Sequence, residues 1–294
     1  MINETGKGAP DRKMEHNFNM PKQLVEMNLK AGEGKVELST LKCILLGMMA
    51  GAFIAFGAAT SSAAIHHISN QGLAKVLAGV IFPVGLMMIV LIGGELFTGN
   101  CLMIAGVMDR RFRVPQMIRT LVLVWFSNLA GAVLIAALVY FSGLFDYTSG
   151  ELGAFTIKVA YGKCTIEPLQ AVCSGILCNI LVCIAVLMST AAKDVAGKIW
   201  ACFFPIMAFV IGGWEHCVAN MFYIPAGILA SFNDNYAAKA EELYGITRAQ
   251  IEASVNIKGF ISNQIPVTIG NLLGGMVFVA LPLYFIHKSN KDKM

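Results

Sequence analysis

The chain has 294 residues, of which 56% are hydrophobic and 14% charged, and its mean hydropathy is +0.67. A soluble domain of this size carries about a quarter of its residues as Asp, Glu, Lys or Arg. Depletion of charge together with apolar runs of about 20 residues points instead to a chain that crosses a bilayer several times.

Residues 1–37 are polar, which excludes a secretory signal peptide there, and they are too few for a folded domain. The expected organisation is a cytoplasmic tail over 1–37, one membrane domain over 38–288, and a short cytoplasmic tail over 289–294. Within the first tail, "NMPKQLVEMNLKAG" predicts a short amphipathic helix starting near Pro21, because proline suits the first helical position. Such a helix either gates a mouth of the membrane domain or lies along the interface.

Six apolar segments follow, at about 39–65, 76–108, 114–141, 168–192, 198–229 and 262–286. Sixteen of the 22 Lys and Arg residues fall in the tails and in the second-to-third and fourth-to-fifth connections. The positive-inside bias therefore predicts a multi-pass protein of the cell membrane with both termini cytoplasmic.

The second and fifth segments are interrupted. The second contains "GGELFTGN" (Gly93 to Asn100) and the fifth "GGWEHCVAN" (Gly212 to Asn220), each with Gly-Gly, then Glu, then Asn five residues beyond the Glu. The third and sixth echo one another as well, in "SNLAGAV" (Ser127 to Val133) and "GNLLGGM" (Gly270 to Met276). Three spans plus three must be inverted repeats, and matched interrupted helices in inverted repeats point to a transport site near the midplane. Freed backbone groups survive at that depth only where they are buried in protein or line a cavity.

A charge at mid-membrane is costly, so Glu95, Glu215 and His216 are candidates for function. Each Glu can accept hydrogen bonds from amides freed at its break, a structural role. His216 has no counterpart in the first half, and an imidazole can donate, accept or carry charge near neutral pH. Lys163, just before the fourth span, is either an interfacial anchor or an attractor of anions. Asn179 and Asn271 bind helices together or offer hydrogen bonds to a permeant, and Thr98 in the first interruption is a compact group of the same kind. Phe82, Leu86, Leu96 and Phe209 read as packing residues by spacing alone.

The eight cysteines form no CxxC pair and read as small apolar filler. No HxxxH, HExxH or GxSxG occurs, so neither a metal site nor a serine hydrolase is expected. An intramembrane enzyme would rest on Glu215-His216 alone. No cofactor and no nucleic-acid partner is expected.

Four stretches, "GGELFTGN", "AVCSGILCNILVCIAV", "GWEHCVANMFYIP" and "IPVTIGNLLGG", occur in the order and spacing of the formate/nitrite transporter family, which the chain resembles from about residue 20 to 288. "ANMFYIP" and "IPVTIGN" are most similar to the formate-channel branch; the nitrite and hydrosulfide branches share most of the rest. The resemblance implies an all-α, aquaporin-like protomer with six transmembrane helices, assembled as a homopentamer with one pore per protomer. It implies that His216 is the central pore histidine and that Thr98 contacts it. Lys163 is then the vestibule lysine, and Asn179 with Asn271 the polar pair near the centre. Phe82 and Leu96 belong to one apolar constriction, Leu86 and Phe209 complete the slits, and Phe97 adjoins the loop held by Glu95 and Glu215. The chain departs from some formate channels in having Gly99-Asn100 after Thr98 where they carry Ser-Thr. The expected solute is a small monovalent anion or its conjugate acid, formate foremost, protonated on passage with the help of His216.

Overall fold

A computed structural model describes residues 17–288, and their named elements are all helical. Helix α1 (Pro21–Val36) begins at the proline that the sequence marks. Six helical spans are long and apolar enough to cross a membrane. They are α2 (Thr40–Ile65), the pair α3 (Gln71–Ile81) and α4 (Val84–Ile92), and α7 (Val114–Phe141). The second half supplies α9 (Pro168–Ala191), α10 (Val195–Gly212), and α14 (Ile257–Gly275) continued through a π-helical turn into α15 (Leu281–Lys288). Local chemistry sets their starts. Ser39, Asn70, Asp194 and Asn256 cap α2, α3, α10 and α14 through their side chains, each accepting an amide of the first turn. A proline occupies the first turn of α7 and α9, where its missing N–H has no partner to lose.

The second and fifth spans are broken where the Gly-Gly-Glu pattern stands. After α4 the chain is non-helical to Leu96, then resumes as α5 (Phe97–Asn100) and, beyond a 3-10 turn, α6 (Ile104–Met108). After α10 it is non-helical until α11 (Cys217–Ser231). Gly93 (φ +105°) and Gly213 (φ +68°) make the two turns, in backbone conformations that a side chain disfavours.

Three helices were not expected from the apolar pattern: α8 (Tyr147–Cys164), α12 (Asp234–Tyr244) and α13 (Arg248–Ser254). Helix α8 completes the repeat. It precedes α9 as α1 precedes α2, and each carries a lysine one residue before its end, Lys35 and Lys163. The duplicated unit is thus a short helix, a span, a broken span and a third span.

In each half the first and third spans pack tightly, α2 against α7 and α9 against α14. Glycine permits this: a Cβ on Gly51 would strike the Asn128 carbonyl, and one on Gly270 the Val172 carbonyl. Close backbone approach at small residues is how helices associate without a hydrophobic driving force. Helix α11 packs on both α7 and α8, joining the halves.

Candidate functional site

One asparagine holds each break. The Asn128 Oδ1 accepts the Phe97 N–H at 2.9 Å, and its Nδ2 donates to the carbonyls of Gly47 and Glu95, both at 2.8 Å. In the other half the Asn271 Oδ1 accepts the Cys217 N–H at 2.9 Å, and its Nδ2 donates to Gly175 O at 2.8 Å and Glu215 O at 3.0 Å. Both asparagines are fully buried. Asn128 lies 14 residues into the 28-residue α7, and Asn271 lies 14 residues into the 32-residue span 257–288. Both breaks are therefore fixed near mid-span.

This corrects the role assigned to the glutamates. Glu95 and Glu215 take no freed amide on their carboxylates. The Glu95 carboxylate accepts from Lys35 Nζ at 2.7 and 2.8 Å and from Asn100 Nδ2 at 2.7 Å. The Glu215 carboxylate accepts from Lys163 Nζ at 2.8 Å, from Asn220 Nδ2 at 2.6 Å and from Asn263 Nδ2 at 3.3 Å. A carboxylate is a better counter-ion than amide acceptor here, because an ammonium in low dielectric needs a full opposite charge. The asparagine five residues on, one helical turn past the break, reaches back to fill a remaining lone pair. Lys163 is 17% exposed and Lys35 26%, so each ammonium faces its glutamate while keeping an edge toward solvent.

Asn179 and Asn271 likewise serve the scaffold. The Asn179 Nδ2 donates to Thr98 O at 3.2 Å and to Asn271 O at 2.6 Å. With the Asn271 amide also committed to carbonyls, these groups bind helices together; the alternative, that they face a permeant, does not fit their bonding. Phe97 gives its N–H to Asn128, and its buried ring packs in the core.

The two breaks differ at their centre. Counting from the glutamates, Leu96 corresponds to His216 and Thr98 to Val218. The structure brings the two polar members together: Thr98 Oγ1 lies 3.0 Å from His216 Nε2. The other ring nitrogen, Nδ1, accepts the Ala219 N–H at 3.0 Å and so caps α11. In the neutral ring an accepting Nδ1 puts the proton on Nε2, which then donates to the threonine hydroxyl. That hydroxyl keeps its own proton free to donate onward.

Above this pair opens a vestibule of about 1010 Å³, with Phe82, Phe209 and His216 in its floor and Lys163 and Tyr223 in its wall. The rings of Phe82 and Phe209 meet edge to face at 5.5 Å, and Phe209 lies 5.9 Å from the His216 ring. The apolar pair thus lies beside His216 at the cavity lining, and Thr98, which does not line the cavity, meets His216 from the far side. Leu86 and Leu96 are buried in the same extended apolar core as these rings and do not line the vestibule.

Sequence reasoning missed Lys35, Asn128 and Asn263. Asn128 stood in a quoted repeat, so its signal was present; Lys35 lies 60 residues from Glu95 and carried none. Among the described residues no group of three or more His, Cys, Asp or Glu side chains is arranged to hold a metal ion.

The sequence profile of the formate/nitrite transporter family matches residues 22–285. A probable formate transporter from Methanothermobacter thermautotrophicus is 38% identical over 282 residues, covering 90% of this chain and 93% of that protein. The formate channel FocA of Escherichia coli K12 is 32% identical over 277 residues, covering 93% of this chain and 96% of that protein. A solved pentameric formate channel with formate bound is similar at a TM-score of 0.74 and 32% identity, over 85% of this chain and 98% of that one. These relatives are transporters and channels, and this chain is a multi-pass transport protein, not an enzyme. It belongs to the formate/nitrite transporter family.

Proposed function

We propose that the chain forms a pore for small monovalent anions, formate foremost, and that the solute crosses the apolar floor of the vestibule together with a proton. The observation that carries this reading is the Thr98–His216 contact at 3.0 Å, a buried donor pair beside the Phe82–Phe209 rings. Moving a carboxylate-sized ion from water into a low-dielectric slit costs on the order of 20 kcal/mol in the idealised limit. A simple carboxylic acid has a pKa near 4, so protonating it at neutral pH opposes roughly 4 kcal/mol. The neutral acid is therefore the cheaper species at the rings.

His216 can relay that proton by taking a second one at Nδ1, at the expense of its cap on Ala219, a loss of about 1 kcal/mol. Lys163 draws anions toward the floor with the part of its charge that Glu215 leaves unscreened. The protomer works in a homopentamer, as its solved relative does, in the cell membrane with both termini and the 1–37 tail cytoplasmic. Helix α1 then sits at the opposite mouth, with Lys35 and Glu95 arranged as Lys163 and Glu215 are.

The test is flux into sealed proteoliposomes of formate, acetate, lactate, nitrite and hydrosulfide, measured against pH. Formate uptake that alkalinises the source compartment supports the reading. Flux of nitrite or hydrosulfide exceeding that of formate at every pH replaces the solute, and formate flux without proton movement replaces the mechanism.

A further inference from the structure

The spans form a ring that is open at one place. Packing runs from α7 to α2, to the α3–α4 pair, to α10, to α9 and to α14, but α14 and α7 meet only loosely. Between them lies a groove of about 530 Å³, lined by apolar and aromatic side chains with only Gln264 and Thr268 polar. Ile118, Val122 and Phe126 form its α7 wall, and Ile261, Ile265 and Ile269 its α14 wall, each 47% to 61% exposed. Side chains four residues apart share a helix face, so both walls open to the bilayer.

The groove follows the pseudo-symmetry of the repeats. Trp125 and Thr268 stand 143 residues apart, as do Asn128 and Asn271, and the Trp125 Nε1 donates to Thr268 Oγ1 at 3.2 Å. Ile118 and Ile261 each precede their asparagine by ten residues. At 1.5 Å per residue that is about 15 Å to either side of mid-span. The seam therefore crosses the whole hydrocarbon core, which is about 30 Å thick.

Its two ends differ in charge. Arg119 precedes Asn128 by nine residues, at the level where hydrocarbon gives way to headgroups, and it shares a face with Val122 and Phe126. Its guanidinium donates to Thr40 Oγ1 at 2.7 Å, at the start of α2. Neither Arg119 nor the neighbouring Lys42 makes an ion pair among the described residues, and both are exposed. By contrast Lys35, Arg111 and Lys288 at the same mouth are all committed to carboxylates. A guanidinium held by one N–H and lacking a counter-ion keeps four donors for a phosphate. At the far end of the seam the position equivalent to Arg119 is Ser262. Lys258 precedes Asn271 by thirteen residues, which places it about 20 Å out and past the hydrocarbon. A second copy of the chain has a better seat elsewhere: α10 is the least buried span, exposes Trp200 and Phe204, and packs on α3, α4 and α9, away from the seam.

We propose that the seam binds an anionic phospholipid from the leaflet on the α1 side, with its phosphate on Arg119 and Lys42 and one acyl chain in the groove. The chain packs against Phe97 and Gln264, behind the two breaks: Phe97 gives its N–H to Asn128, and Gln264 Nε2 donates to Cys217 O at 3.0 Å. A membrane component thereby braces both halves where the ring of helices does not close. The site lies outside the vestibule and does not depend on which solute crosses. Each cation near an anionic leaflet contributes about a fivefold preference, and salt screens it.

The probe is phosphatidylglycerol with dibrominated acyl chains, compared with phosphatidylcholine carrying the same chains, in proteoliposomes of unbrominated phosphatidylcholine at low salt. Bromine quenches indole fluorescence on contact. The background variant Trp200→Phe leaves Trp125 in the seam and Trp214 in the aqueous vestibule. The anionic lipid should quench at a mole fraction at least about fivefold below that of the neutral one. Arg119→Gln should lower this preference about fivefold, whereas Arg119→Lys and Lys258→Gln should keep it. Equal quenching by the two lipids, or a preference untouched in Arg119→Gln, overturns the proposal. Absence of quenching by either lipid also overturns it, since a neighbouring copy then covers the seam. Loss of the anionic lipid's advantage in excess glycerol phosphate does so too, because the ligand is then a free phosphate.

Discussion

The two broken helices share a frame and differ in content. Each has a left-handed glycine at or next to the break, a Lys–Glu pair, an asparagine one turn on, and a second asparagine clasping two carbonyls and one amide. Within that frame the first half places Leu96 and Thr98 where the second places His216 and Val218. Only the polar member of each set reaches its opposite number. The residues that obey the repeat serve the frame alone, whereas those that violate it, Thr98 and His216, also spend a side-chain group on one another. The rule separates scaffold from chemistry without reference to any ligand.

Removing a clasp should have the largest effect and the same size in both halves. Asn128→Ala or Asn271→Ala leaves one N–H and the carbonyl of the glutamate at the break unpaired in a dry site, at about 1–3 kcal/mol each, and strips a second bond from a helical carbonyl. We expect failure to assemble, or a melting temperature lowered by well over ten degrees in detergent. A loss confined to one half would break the equivalence of the two frames.

Next come the ion pairs. Glu215→Leu strands the Lys163 ammonium and should destabilise by about 3–5 kcal/mol. Glu95→Leu should cost less, since Lys35 is the more exposed partner at 26% against 17%. Adding Lys163→Met to the first variant should restore much of the stability, and a thermal double-mutant cycle measures the coupling. Purely additive losses would mean the pairs are not coupled.

Substitution at the centre should change stability little and transport greatly. Asparagine at position 216 can still cap α11, so His216→Asn should melt within about 1 kcal/mol of wild type. Its formate uptake should fall at least tenfold or lose its pH dependence. Thr98→Val, which copies Val218, should behave alike. Unchanged flux and pH response in His216→Asn would end the proton-relay mechanism while leaving the pore reading intact.

The smallest effect concerns how α1 and α8 are held. Helix α1 is clamped by ion pairs, with Arg111 reaching Glu26, Glu33 and Asp109, and Lys288 reaching Glu26 and Asp109. The Lys288 hydrogen bond, aided by Arg111, holds the Glu26 carboxyl below its usual range. At Asp109 burial pushes upward, but Arg111 and Lys288 outweigh it and the net shift is downward. Groups with depressed values stabilise the fold above their unfolded pKa and lose that contribution as pH falls through the folded one. Amide protection in α1, corrected for the intrinsic exchange rate at each pH, should therefore be steady from neutrality to about pH 5 and fall below about pH 4. Helix α8 packs its Gly153 against Tyr236 and is tied by Lys163 to Glu215, so it carries no ion-pair cluster of the kind that clamps α1.

The six spans were legible because hydropathy and caps act locally, and the breaks because Gly-Gly-Glu is foreign to a continuous apolar helix. Helix α8 was not, since Glu151, Lys158 and Lys163 dilute its apolar face. Lys35 entered the sequence reading only among the charges that orient the chain; its pairing with Glu95 is a product of the fold. The bonding of Glu95 and Glu215 was misjudged for a related reason. A sequence shows that a carboxylate is present at a break but not that an ammonium arrives from a separate helix. The Thr98–His216 contact, 118 residues apart in the chain, came from family resemblance and not from any local pattern.

That separation has a consequence for the order in which the molecule is made. The Phe97–Asn128 clasp closes over 31 residues and lies wholly within the first half, so a ribosome-bound chain can complete it before α8 is synthesised. The Cys217–Asn271 clasp, over 54 residues, belongs wholly to the second half. The link from His216 to Thr98 waits for both, and domains of nascent chains generally fold as units in sequence. A chain stalled after α7 would thus hold a finished half-frame with nothing to conduct, and the pore would come into being in one late docking step.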